Sequence, residues 1–62
     1  MMKVLSEWRN KERSAQVVVS DEGIYFVKMY VSDNMVEMRS MKEHSEYYAN
    51  DCAENWITGI IK

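Results

Sequence analysis

His44, Ser45 and Glu46 place a base, a hydroxyl and a carboxylate side by side. Neighbours in sequence do not meet as a nucleophile, its base and an orienting acid must. Ser45 instead suits a helix N-cap, and Glu46 the first turn, where negative charge complements the helix dipole. His44 reads as a surface residue ahead of that helix. Cys52 is the single cysteine. Lying between Ala49 and Trp56 on an apolar stripe, it reads as a small buried hydrophobe, and a buried thiol away from cations is inert. One cysteine excludes an internal disulfide and any multi-cysteine zinc site. Asp51 and Glu54 share a helical face, but two carboxylates without further oxygen ligands make a poor cation site. No glycine-rich loop is present to cradle a phosphate. The residues thus predict no catalytic group, no metal and no cofactor, and a protein that is not an enzyme.

The elements that position these residues follow from periodicity. Spaced at 100° per residue, Ala49, Cys52, Ala53, Trp56 and Ile60 form one stripe, with Tyr48 and Ile57 at its margins. The pattern predicts a helix over about 45–61. Alternation predicts a strand over 2–8, with Met2, Val4, Ser6 and Trp8 on one side. Polar residues 9–14 read as a loop. Strands follow at 15–20, around Val17-Val18-Val19, at 24–31, and at 35–41. Asp21-Glu22-Gly23 signals a turn whose glycine accepts positive φ. Asp33-Asn34 suits a two-residue hairpin turn. The expected fold is α+β: an antiparallel meander of three or four strands packed on one C-terminal helix, in two layers.

A turn at Asp33-Asn34 sets Val31 opposite Val36 and Met29 opposite Met38. Tyr25, Val27, Met29, Val31, Val36 and Met38 then make an apolar face that takes the helix, extended by Ala15, Val17 and Val19. Ile24, Phe26, Lys28, Tyr30, Glu37, Arg39 and Met41 fall on the other face, with Val18. That face is unusually apolar for one open to water. Leu5 or Trp8 from the first segment covers it, or a second copy or another protein does. Four methionines, at 29, 35, 38 and 41, give this hairpin an adaptable surface. Tyr47 with Ile61 forms a smaller contact patch on the helix's acidic side.

Sixty-two residues make one small domain, which buries only roughly 60% of its unfolded surface. There is no proline, so neither a linker nor a low-complexity segment is expected. The longest apolar runs fall far short of the roughly 20 residues of a membrane span, and the first residues lack a signal-peptide core. A cytoplasmic location and no membrane partner are expected. The formal net charge of −2 argues against general binding to phosphate backbones. Arg9, Lys11 and Arg13 nevertheless cluster.

The segment Tyr48-Ala49-Asn50-Asp51-Cys52-Ala53-Glu54-Asn55-Trp56-Ile57-Thr58-Gly59, after a strand meander, resembles the C-terminal half of small uncharacterised proteins of tailed bacteriophages, including cyanophages. The resemblance covers the last third of the chain and implies a phage origin and a host-cell location, with no activity attached. Three strands followed by an alanine-rich helix bearing a tryptophan are also similar to AP2 domains and the arm-binding domains of phage integrases. That similarity implies DNA binding by the sheet's open face, here offering Lys28, Arg39, Phe26 and Tyr30. The chain departs from the basic sheet of that pattern at Glu37 and in its acidic total.

Two functions are therefore expected. The first is a non-enzymatic module binding a host or phage protein, or a second copy as a homodimer, through the open sheet face or an edge strand, with Phe26, Lys28, Tyr30, Arg39, Met41 and Trp8 as contact residues. The alternative is a nucleic-acid-binding module using Arg9, Lys11, Arg13, Lys28 and Arg39.

Overall fold

The computed structural model describes residues 2–59. Four strands, β1 (Lys3–Asn10), β2 (Arg13–Val19), β3 (Tyr25–Val31) and β4 (Asn34–Ser40), form an antiparallel sheet in chain order, and helix α1 (Glu46–Ile57) packs across it. This is the two-layer α+β meander that the residue pattern predicts, with the first segment as an edge strand.

The helix starts as expected. Ser45 is the N-cap, its hydroxyl accepting from the Tyr48 N–H, and Glu46 occupies the first turn. It ends earlier than the periodicity suggests. Thr58 caps it, and Gly59 turns the chain at φ 85°, a conformation glycine adopts at little cost. Ile60 and Ile61 lie outside the described residues. Ala49, Cys52, Ala53 and Trp56 are buried, so the predicted stripe faces the sheet. Ala49, Cys52 and Ala53 add little bulk between helix and strands. They meet Ala15, Val17, Val27 and Met29, with Leu5, Trp8, Tyr25, Val31 and Ile57 packed around them. Each large aliphatic chain buried here stabilises the fold by about 1.5–3 kcal/mol.

Residues 9–14 are not a loop. Asn10 pairs with Arg13 across a two-residue turn, Lys11-Glu12, with Lys11 at φ 59°. Polar composition here reports exposure at the rim of the sheet, not loss of pairing. Within β1 the register shifts between Val4 and Ser6. Val4 therefore pairs with Val18 on the open face, while Ser6 and Trp8 lie with Val17 and Ala15 on the helix side; the expected strict alternation fails at Leu5.

The β3–β4 turn is also displaced by one residue. Ser32 (φ 51°) and Asp33 (φ 68°) take the loop positions, so Val31 pairs with Asn34. Both central residues are left-handed, as a type I′ hairpin requires. Val36 is then an extra residue without a partner, Met29 pairs with Glu37, and Val27 pairs with Arg39. A slip of one residue turns every side chain to the opposite face. Glu37 and Arg39 consequently lie on the helix side and Met38 on the open face, the reverse of the sequence reading. Met41 enters the core instead of the open face, its N–H donating to the Tyr25 carbonyl. Local propensity favours Asp-Asn over Ser-Asp at these positive-φ positions, because Asp and Asn accept the left-handed region more readily than Ser. The observed register buries Met41 under the helix, which the alternative does not.

Candidate functional site

The open face is built from cross-strand rows. Val4, Val18, Phe26 and Ser40 align; next come Glu7, Gln16, Lys28 and Met38; then Arg9, Ser14, Tyr30 and Met35. Val18 is fully buried within the first row even though no element lies over it. Phe26, Lys28 and Tyr30 are half-buried. A shallow groove of about 260 Å³ crosses this face, lined by Glu7, Arg9, Ser14, Gln16, Tyr30 and Asp33 among others. Arg9 reaches over it to Asp33 at 3.3 Å. Neither Leu5 nor Trp8 covers the face: both pack against the core on the helix side. Trp8 is thus a core residue, half-buried, and its Nε1–H is buried with no hydrogen bond among the described residues.

On the opposite side, polar groups tether the helix. Ser6 Oγ donates to Asn50 Oδ1 at 2.8 Å. The last turn of α1 holds no basic residue. Its carbonyls are met from the sheet: Arg13 Nη1 donates to Trp56 O at 3.1 Å, and Asn10 Nδ2 to Ile57 O at 3.1 Å. A cation at a helix C-terminus also opposes the negative end of the dipole. The Arg13 guanidinium lies 4.5 Å over the Trp56 ring, a cation–π contact. Trp56 Nε1 donates to Ser14 O (3.0 Å) and Tyr30 O (3.3 Å), fixing the helix on the central strands.

Beyond β3 the helix stops covering. α1 lies over β1, β2 and β3 but not β4. Met35, Val36 and Met38 on β4 are 55%, 54% and 44% exposed. Arg39 bridges the gap, holding Glu37 (Nε to Oε2, 2.9 Å) and donating through Nη1 to Cys52 Sγ at 4.0 Å. That bond to Glu37 keeps the guanidinium still more firmly protonated. Burial pushes the Cys52 thiol above its ordinary value, and Arg39 partly opposes this. The thiol is buried as expected, though beside a cation and not away from one.

The predicted contact residues therefore divide. Phe26, Lys28 and Tyr30 share the open face, whereas Arg39, Met41 and Trp8 do not. Of the five cations expected to meet nucleic acid, Arg9 and Lys28 lie on the open face, and Lys11 sits in the turn at its end. Arg13 and Arg39 are engaged on the helix side. Glu37 leaves the open face, but Glu7 and Asp33 stand beside Arg9 there. Tyr47 is 84% exposed, and its expected partner Ile61 lies outside the described residues. His44 stacks on Tyr48, with ring centroids 4.0 Å apart. Among the described residues no three of His, Cys, Asp and Glu gather as metal ligands, and no helix is long and apolar enough to cross a membrane.

Sequence reasoning missed two of the three exposed residues on β4, Val36 and Met38, by assigning them to the helix-covered face. The signal was the adjacent apolar pair Met35-Val36, since neighbours on a regular strand cannot both face one core. No protein-family model, curated protein or solved structure matches the chain.

Proposed function

We propose that this is a non-enzymatic protein-interaction module that binds a protein partner through the open sheet face centred on Phe26, Lys28 and Tyr30. The observation that carries this reading is the uncovered face itself. Leu5 and Trp8, the chain's own candidates to cover it, lie on the helix side, leaving Val4, Phe26, Tyr30, Met35 and Met38 uncovered around Lys28. Uncovered apolar surface of this kind marks contact sites. The phage origin and host-cytoplasmic location belong to the same reading and rest on the resemblance of residues 48–59 alone.

Phe26→Glu tests it. The substitution sets a carboxylate into the first row and should abolish retention of a specific protein from host lysate. The far-UV spectrum and cooperative unfolding should persist. Loss of cooperative folding instead would make Phe26 a structural residue and sink the reading. Binding to duplex DNA that weakens steeply with salt would replace it with the nucleic-acid alternative.

A further inference from the structure

We propose that β4 is a homodimerisation edge: two copies pair β4 against β4, antiparallel about a two-fold axis at Met38, to give an eight-stranded sheet. The inference rests on the protein-interaction reading and names a second copy as one partner of that module, docked at its edge.

Backbone geometry sets the register. The Met41 N–H donates to Tyr25 O, so Met41 and Tyr25 form a hydrogen-bonded pair. Such pairs alternate along an antiparallel ladder. Arg39 and Glu37, opposite Val27 and Met29, therefore direct their backbone groups at β3. Met38 and Ser40 direct theirs outward, where the edge is open. A two-fold pairing must match outward groups with outward groups, and one centred on Met38 does so at Met38 itself, with Ser40 falling opposite the bulged Val36 of the second copy.

The side chains then fall into place. Glu37 of each copy faces Arg39 of the other, twice, on the helix side. These residues already attract within one chain at 2.9 Å, so the two-fold closes a ring of alternating charges. Met38 faces Met38 on the open face, which shields side chains left 44% exposed in the single chain. The isologous match needs no second surface, as a closed dimer requires. The opposite edge, β1, is less suited. The helix already covers its inner side, and Asp33 holds Arg9. Free edges invite pairing of this kind unless they are blocked.

Charge reversal tests the register. Glu37→Arg alone and Arg39→Glu alone each set like charges opposite one another, so each protein should self-associate about tenfold or more weakly than wild type. Mixed one to one, the two variants restore both attractions and should form a heterodimer by sedimentation. Met38→Pro is a second probe. It removes the outward N–H while sparing the ladder to β3, as proline on an edge permits. It should be folded by circular dichroism and monomeric by sedimentation. A wild type that stays monomeric from about 10 to 500 µM overturns the dimer, and leaves the open face to a foreign partner. A wild-type dimer that survives Glu37→Arg and Met38→Pro but is dissolved by Phe26→Glu overturns the edge and keeps the face. Charge-reversed variants that dimerise alone as well as when mixed overturn the register.

Discussion

The two ends of the sheet are made from similar material and treated differently. Glu7-Trp8-Arg9 on β1 and Glu37-Met38-Arg39 on β4 repeat the same charge–apolar–charge pattern on opposite edges. At β1 the helix lies overhead. Trp8 packs into the core, and Ser6 and Asn10 bond the helix directly. At β4 the helix is absent, the apolar residue of the triplet points to the open face, and Arg39 makes the link to Cys52. The twelve-residue helix, about 18 Å long, lies over β1, β2 and β3 and leaves β4 uncovered. The lesson is that coverage, not composition, separates a structural edge from an available one.

The largest test of that contrast is Trp56→Ala. It removes an aromatic anchor, two hydrogen bonds to strand carbonyls and the surface under Arg13, and should cost about 3–5 kcal/mol. That is a large share of the stability of a domain this small, so the thermal midpoint should fall steeply. An unfolding curve that overlays wild type would break the assignment of the covered end.

Arg13→Met should cost less, about 1–2 kcal/mol, because it keeps apolar bulk over Trp56 while removing the cation and the donor to the helix terminus. The loss should shrink in high salt. Chemical denaturation with urea at two salt concentrations reads this directly. An unchanged midpoint would mean that the helix end needs no partner from the sheet.

Cys52 sits where the covered end meets β4. Burial raises its thiol pKa, so the stability this group contributes is complete below the ordinary thiol value. It is lost as pH rises through the raised folded value. Thermal midpoints should fall on that alkaline limb, and Cys52→Ala should flatten the fall. Native protein should resist a thiol reagent until denaturant is added; rapid stoichiometric labelling would place the helix in another rotation.

Lys11→Gly should have the smallest effect. Lys11 is held at φ 59°, a region that costs a side-chain-bearing residue about 1 kcal/mol. Glycine should recover a few tenths to about 1 kcal/mol, less its own chain entropy. A drop in thermal midpoint would show that the Lys11 side chain itself supports the covered end.

Much of the fold was legible in residue order. The cap at Ser45, the stripe from Ala49 to Trp56, the turn at Gly23 and the alternation of β2 and β3 are local patterns whose chemistry acts within a few residues. The candidate site was legible only in its centre, Phe26, Lys28 and Tyr30, because β3 keeps a regular two-residue period. Its flanks were not. An unpartnered Val36 inverted β4 beyond it, moving Met41 and Arg39 off the open face. A shift near Leu5 likewise sent Val4 and Ser6 to opposite sides.

By itself, then, the sequence determined the number and kind of elements, because propensity, capping and periodicity are short-range. Only tertiary structure decided which face each edge strand turns to the helix. A bulge leaves local composition unchanged but reverses every side chain beyond it, and its position is chosen by packing: Met41 under the helix, Arg39 between Glu37 and Cys52, and Arg13 at the helix terminus.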